Sequence, residues 1–232
     1  MGNVRGVGFD LDHTLEIDNR LERVALLHLL EALLEHGGHA IGTLAEEIEN
    51  IDDLLASQRR GDFPIDEAVR RFVASRGLVP AASQVQYFRR TAEQMVEEFV
   101  VALPGVQATL DFLQERGIAT AVLSNGWNPL QARKADRAGF RGRVLVSSEI
   151  GAQKPQRRAF EMLSEALGTP PNETWYVGDN PYGDVAGAQA AGMCGVWLNW
   201  ERNEYPPELP APAHEIRDLR EVIELLTPAR LA

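Results

Sequence analysis

Two hydrophobic rhythms divide this chain. From about residue 18 to residue 98 the apolar positions recur three and four apart, as in Leu21, Val24, Ala25, Leu29 and Leu33, which share one helical face. This stretch predicts four helices. The first starts at Asp18 or Asn19 as N-cap and stops at Gly37-Gly38; Thr43–Arg59, Pro64–Arg76 and Pro80–Phe99 follow. Elsewhere, short β-rich apolar runs alternate with helical segments. Val4–Asp10, Ile118–Leu123, Val144–Ser147, Thr174–Val177, Gly195–Leu198 and the short His214–Ile216 predict strands; Gly105–Arg116, Pro129–Ala138, Arg157–Leu167, Asp184–Ala191 and Leu219–Leu226 predict helices. Such alternation implies an α/β fold with a parallel sheet covered on both faces.

The first strand precedes the next sheet strand by about a hundred residues, where one crossover needs only a few dozen. The excess is the helical block. It reads as an all-helical cap domain, residues 18–98, inserted into a core formed by 1–17 and 99–232. Its expected place is over the carboxyl end of the sheet, where open α/β folds bind ligands.

Composition changes this picture by exclusion. A net charge of -11 argues against a nucleic-acid polymer as partner, since that needs a basic face. It leaves room for a small phosphorylated metabolite, because one metal ion and a few cations reverse a local field. The single cysteine, Cys194, cannot form an internal disulfide, so a cytoplasmic setting is expected. No signal peptide and no membrane span is expected from the apolar runs. Oligomeric state is not readable. Only Lys134 and Lys154 are lysines among 23 Lys plus Arg.

Candidate chemistry sits at the strand ends. Asp10 and Asp12 close the first strand and point to one face of an extended chain. Ser124-Asn125-Gly126 follows the second, Lys154-Pro155 comes soon after the third, and Gly178-Asp179-Asn180-Pro181-Tyr182-Gly183-Asp184 follows the fourth. Each has a bland alternative: an acidic turn, an Asn-Gly turn, a solvated lysine, an N-cap at Asp184. In a parallel sheet, however, all four ends converge on one edge. Clustered acids repel unless a cation offsets them, and oxygen-only donors suit Mg²⁺ rather than zinc.

These four motifs, DLDHT (Asp10 to Thr14), SNG, KP and GDNPYGD, resemble the haloacid dehalogenase (HAD) superfamily of phosphatases over nearly the whole chain. The resemblance implies a three-layer α/β/α Rossmann-like core with a helical cap of the C1 type. It also implies Mg²⁺-dependent hydrolysis of a phosphomonoester through an aspartyl-phosphate. Asp10 would be the nucleophile and Asp12 the general acid, then base. By the same resemblance Asp10, the backbone carbonyl of Asp12, Asp179 and Asp184 would serve the metal, while Ser124, Asn125 and Lys154 would hold the phosphoryl group.

Rival activities remain open: phosphoglycolate phosphatase or phosphomutase, a 2-haloacid dehalogenase, or a binding protein that has lost catalysis. Asp12 argues against the dehalogenase, whose first motif lacks that second aspartate. The runs after SNG and GDN are similar to nucleotidase-like and sialic-acid-phosphatase-like C1 phosphatases, suggesting a nucleoside monophosphate or sugar phosphate. Candidate substrate contacts are Trp127 and Asn128, beside the second motif, and Arg59 and Arg60 in the helical block. His13 invites a catalytic role, but an extended chain points it away from Asp10 and Asp12; a tight turn with positive φ is expected there instead.

Overall fold

A computed structural model describes residues 4–59 and 62–227. By contacts the chain forms two compact units, one from the residues up to Asp18 and from Val100 onward, the other Asn19–Phe99.

The first unit is built on a sheet. In chain order its elements begin with β1 (Gly6–Phe9) and β2 (Glu16–Ile17). The second unit contributes α1 (Leu21–Glu35), α2 (Leu44–Arg59), α3 (Ile65–Ser75), α4 (Ala82–Gln94) and α5 (Val96–Phe99). The first unit resumes with β3 (Val101–Ala102), α6 (Val106–Glu115), β4 (Ala119–Ser124), α7 (Leu130–Arg137), β5 (Arg143–Val146), α8 (Ser147–Ile150) and α9 (Arg157–Leu167). It ends with β6 (Thr174–Gly178), a π-type turn over Pro181–Ala186, α10 (Gly187–Ala190), β7 (Cys194–Leu198), β8 (His214–Ile216) and α11 (Glu221–Leu226).

The main sheet has the order β5-β4-β1-β6-β7-β8, and every pair is parallel. Strand alternation sends side chains into two separate cores. Val7, Phe9, Val122, Trp175 and Val177 join Val106, Leu113 and Val222 on one side. Ala121, Leu123 and Tyr176 join Phe160, Leu163 and Ala188 on the other. Two cores with one sheet between them make a three-layer α/β/α Rossmann-like fold. Gly8 supplies no side chain to the second face because a Cβ there would lie 2.5 Å from Leu163 of α9. The chain first builds outward from β1 to β4 and β5, then crosses back to place β6 on the other flank. β1 is therefore the point where the direction of strand addition reverses, the place where ligands bind in such sheets.

The second unit is all helix. Leu21, Ala25, Leu26, Leu29, Leu30 and Leu33 form the buried stripe of α1, which packs on α2 and α4. Ion pairs link successive helices: Arg23 with Asp52, Arg76 with Glu47 at 2.5 Å, and Arg89 with Asp66 at 2.7 Å.

Several elements depart from expectation. Neither Asp18 nor Asn19 caps α1; Arg20, at φ 66°, precedes its first turn, and Asn19 donates its side-chain amide to the Phe99 carbonyl. Asp18 is buried and bound to Lys134, a partner far off in sequence. The helix expected over Pro80–Phe99 breaks at Met95, where one residue leaves the ladder. The helix expected to start at Asp184 starts at Pro181 with Asn180 as its cap, accepting from the N–H groups of Tyr182 and Gly183. Proline's fixed φ and missing N–H suit that first position. The paired strands β2 and β3 were not expected at all; two residues carry no readable alternation.

Candidate active site

Four strand ends supply the site, all within the first unit. β1 ends at Phe9 and delivers Asp10, whose N–H still bonds to the Val177 carbonyl of β6. β6 ends at Gly178 and delivers Asp179. The π-type turn then swings Asp184 back toward the sheet, where Asn180 N–H donates to its Oδ2 at 3.0 Å. A Cβ on residue 178 would lie 2.4 Å from the Asp184 carboxyl carbon, so only glycine lets Asp184 come this close. Trp197 donates its Nε1 to the Asp179 carbonyl at 2.8 Å and braces that loop. Carboxylate oxygens of Asp10, Asp179 and Asp184 lie within 4.8 Å of one another.

Lys154 is buried among them. Its Nζ lies 2.6 Å from Asp10 Oδ1 and donates to Asp184 Oδ1 at 2.7 Å. A hydrogen-bond pair fixes its backbone: Lys154 N–H donates to Asn125 Oδ1 at 2.9 Å, and Asn125 Nδ2 donates to the Lys154 carbonyl at 3.0 Å. Asn125 thus ties the second motif to the third. Ser124 is fully buried at the end of β4, its Oγ accepting from Gln131 Nε2 at 3.0 Å.

The electrostatics follow from crowding. Burial, then repulsion from Asp184, pushes the Asp10 carboxyl up to about 7, against an opposing pull from Lys154. Burial, then Asp184 and Asp10, pushes Asp179 well above the carboxylate range. Burial works against the charge on Lys154, yet Asp10 and Asp184 hold it firmly protonated. Three carboxylates facing one lysine are short of positive charge. An all-oxygen donor set with that deficit fits a hard divalent cation.

Asp12 stands in different company. Burial opposes its charge, but Lys134, Glu16 and Gln131 hold its carboxyl well below the usual range. Lys134 Nζ donates to Asp12 Oδ1 at 2.5 Å and to Asp18 Oδ2 at 2.8 Å, with Glu16 Oε1 at 3.7 Å. Gln131 Nε2 donates to Asp12 Oδ2 at 2.9 Å. Glu16 is fully enclosed, and burial pushes its carboxyl well up. Lys134, Gln131 and Glu16 were missed in the sequence. The scarcity of lysine that singled out Lys154 applied equally to Lys134.

Other candidates fare differently. Trp127 is only 3% exposed, so its ring offers no open face. Asn128 accepts from the Ala132 N–H at 3.2 Å, in the first turn of α7. Arg59 is exposed at the last residue of α2, in the helical unit; Arg60 lies outside the described residues. His13 does adopt positive φ, at 59°. Its N–H donates to the Glu16 carbonyl at 2.7 Å, its own carbonyl accepts from Trp200 Nε1 at 2.9 Å, and its ring stacks on Trp200.

A parallel sheet whose central strand ends in paired aspartates, with a lysine and two further acids beside them, is the arrangement of one hydrolase class. The sequence pattern of the haloacid dehalogenase-like hydrolases matches residues 4–192, and the chain belongs to that family. Among its relatives is a phosphoserine phosphatase of Thermus thermophilus, 41% identical over 51% of this chain and 49% of that one, about half of each. A glyceraldehyde 3-phosphate phosphatase of Pyrococcus furiosus is 27% identical over 97% of this chain and 95% of its own. The HAD hydrolase YfnB of Bacillus subtilis, solved with magnesium, shares the fold with a TM-score of 0.74 at 24% identity, covering 97% of this chain and all of that one. It is with the phosphoric monoester hydrolases of the family that this chain groups.

Proposed function

We propose that the protein is a Mg²⁺-dependent phosphatase that hydrolyses a small phosphorylated metabolite through a phosphoaspartate at Asp10. The observation that carries this reading is the convergence of Asp10, Asp179 and Asp184 on Lys154 at the switch point of the sheet. Asp10, Asp179, Asp184 and the Asp12 carbonyl would hold the cation. Once bound, the cation would offset the charge of the phosphoryl group and keep Asp10 ionised beside it. Asp10 attacks phosphorus and the ester oxygen leaves. Asp12 gives that oxygen its proton, then takes one from the water that cleaves the phosphoaspartate. Ser124, Asn125 and Lys154 hold the phosphoryl oxygens, so positioning and electrostatics carry most of the rate enhancement. Asn19–Phe99 would act as the cap that selects the rest of the substrate.

The full-length similarity to a glyceraldehyde 3-phosphate phosphatase supports a short phosphorylated sugar or acid over a nucleotide, as does the burial of Trp127, which leaves no ring face for a base. The single cysteine fits a reducing, cytoplasmic setting, and no described helix is long and apolar enough to cross a membrane.

The test is hydrolysis of 4-nitrophenyl phosphate, then of a panel holding glyceraldehyde 3-phosphate, phosphoglycolate, phosphoserine and nucleoside monophosphates. Turnover should need Mg²⁺, stop with EDTA, and fall by about a thousandfold or more in Asp10→Asn. Activity that survives EDTA or Asp10→Asn sinks the assignment.

A further inference from the structure

We infer that Lys134 and Gln131 are positioning residues for Asp12: from one face of α7 they hold its two carboxylate oxygens and so fix where the carboxyl group points relative to the leaving oxygen. The inference rests on the general-acid role proposed above. Lys134 and Gln131 lie three apart and therefore side by side on the helix. Lys134 takes Oδ1 at 2.5 Å, and Gln131 takes Oδ2 at 2.9 Å. The Lys134 side chain is 2% exposed while that of Asp12 is 30% exposed. The lysine thus grips the carboxylate from the protein side and leaves an open side to face a substrate. Gln131 also reaches Ser124 Oγ at 3.0 Å and the Asn125 carbonyl at 3.4 Å. One amide therefore registers the acid against the loop proposed to hold the phosphoryl group.

The alternative is a purely structural lysine that anchors the buried acids Asp18, at 2.8 Å, and Glu16, at 3.7 Å. Geometry favours more than that. A lysine needed only for the buried Asp18 and Glu16 has no reason to reach a half-open carboxylate as well, and the hydrogen bonds of Gln131 go to Asp12, Ser124 and Asn125, with none to Asp18. A general acid matters most when the leaving oxygen is a poor leaving group. Loss of its orientation should therefore depend on the substrate, whereas general loosening of the fold should not.

The experiment compares kcat for an alkyl phosphate and for 4-nitrophenyl phosphate in Lys134→Met, Lys134→Arg, Gln131→Met, Asp18→Asn and Asp12→Asn, all with Mg²⁺. Lys134→Met should lose about tenfold more on the alkyl ester than on the nitrophenyl ester, the same direction as Asp12→Asn, with partial rescue in Lys134→Arg. Asp18→Asn should leave the ratio of the two rates unchanged. Equal losses on both substrates in Lys134→Met, with a selective loss in Asp12→Asn, overturn the inference and spare the general-acid reading. No selectivity in Asp12→Asn itself removes that reading and the inference together. Should Lys134→Met fail to fold, Gln131→Met carries the same comparison.

Discussion

At position 13 a histidine occupies a left-handed backbone conformation, with φ 59°. The turn it makes folds the chain back after Asp12, and the ring is spent on Trp200 rather than on an acid. His13→Gly should keep turnover near that of the native protein. His13→Val should lower stability by about 1–2 kcal/mol relative to the glycine variant, because a β-branched residue resists this region. Urea unfolding beside a turnover assay decides it; a glycine variant that folds but is inactive would return the ring to the chemistry. The placement of single residues was legible where a residue type was out of place. Acids at a strand end and a lysine in an arginine-rich chain were such signals, and they pointed to Asp10, Asp12 and Lys154. Asp18 misled because a helix cap and a buried ion-pair partner are written with the same letter. Only its distant partner on α7 distinguishes them.

At the scale of elements, amphipathic spacing placed the long helices and apolar runs placed the sheet strands. What stayed hidden were features with no period: the two-residue strands β2 and β3, and the break at Met95, which has neither glycine nor proline to mark it. The helices of the second unit are also held by contacts no periodicity records. Arg76, directly after α3, pairs with Glu47 of α2, and both side chains are nearly fully enclosed, at 1% and 3% exposure. Removing one partner strands a buried charge. Arg76→Met is expected to destabilise by about 3–5 kcal/mol, while the double change Arg76→Met with Glu47→Leu should recover most of the loss. Thermal melts of the single and double variants give the coupling energy. A double variant as unstable as the single one would mean that the pair is needed for packing rather than for charge balance.

For the whole molecule, the crowding of acids links stability to pH and to metal. The Asp10 carboxyl stands at about 7 in the folded protein against an ordinary 3.8, so the folded state holds a proton that the unfolded chain releases. Stability from this group is complete below about pH 4 and is lost as pH rises through about 7. Asp12 is held low and works in the opposite sense, its contribution disappearing only under stronger acid. Without divalent cations, the melting temperature should therefore lose ground between about pH 4 and 7, less so in Asp10→Asn. The rise on adding Mg²⁺ should be larger at pH 8 than at pH 5, since the cation competes with protons for the same oxygens. A Mg²⁺ shift independent of pH would place the cation elsewhere. The chain's topology has a consequence of another kind. Ile17 faces Val101 and Glu16 faces Ala102 across an antiparallel pair, so the helical unit leaves and rejoins the sheet unit at adjacent points, with backbones about 5 Å apart. To the sheet, everything from Asn19 to Phe99 is a hairpin loop. A loop of that kind can be shortened, lengthened or exchanged without disturbing the register of any strand of the sheet, so the helical insertion and the sheet that carries Asp10 are separable inheritances in one chain.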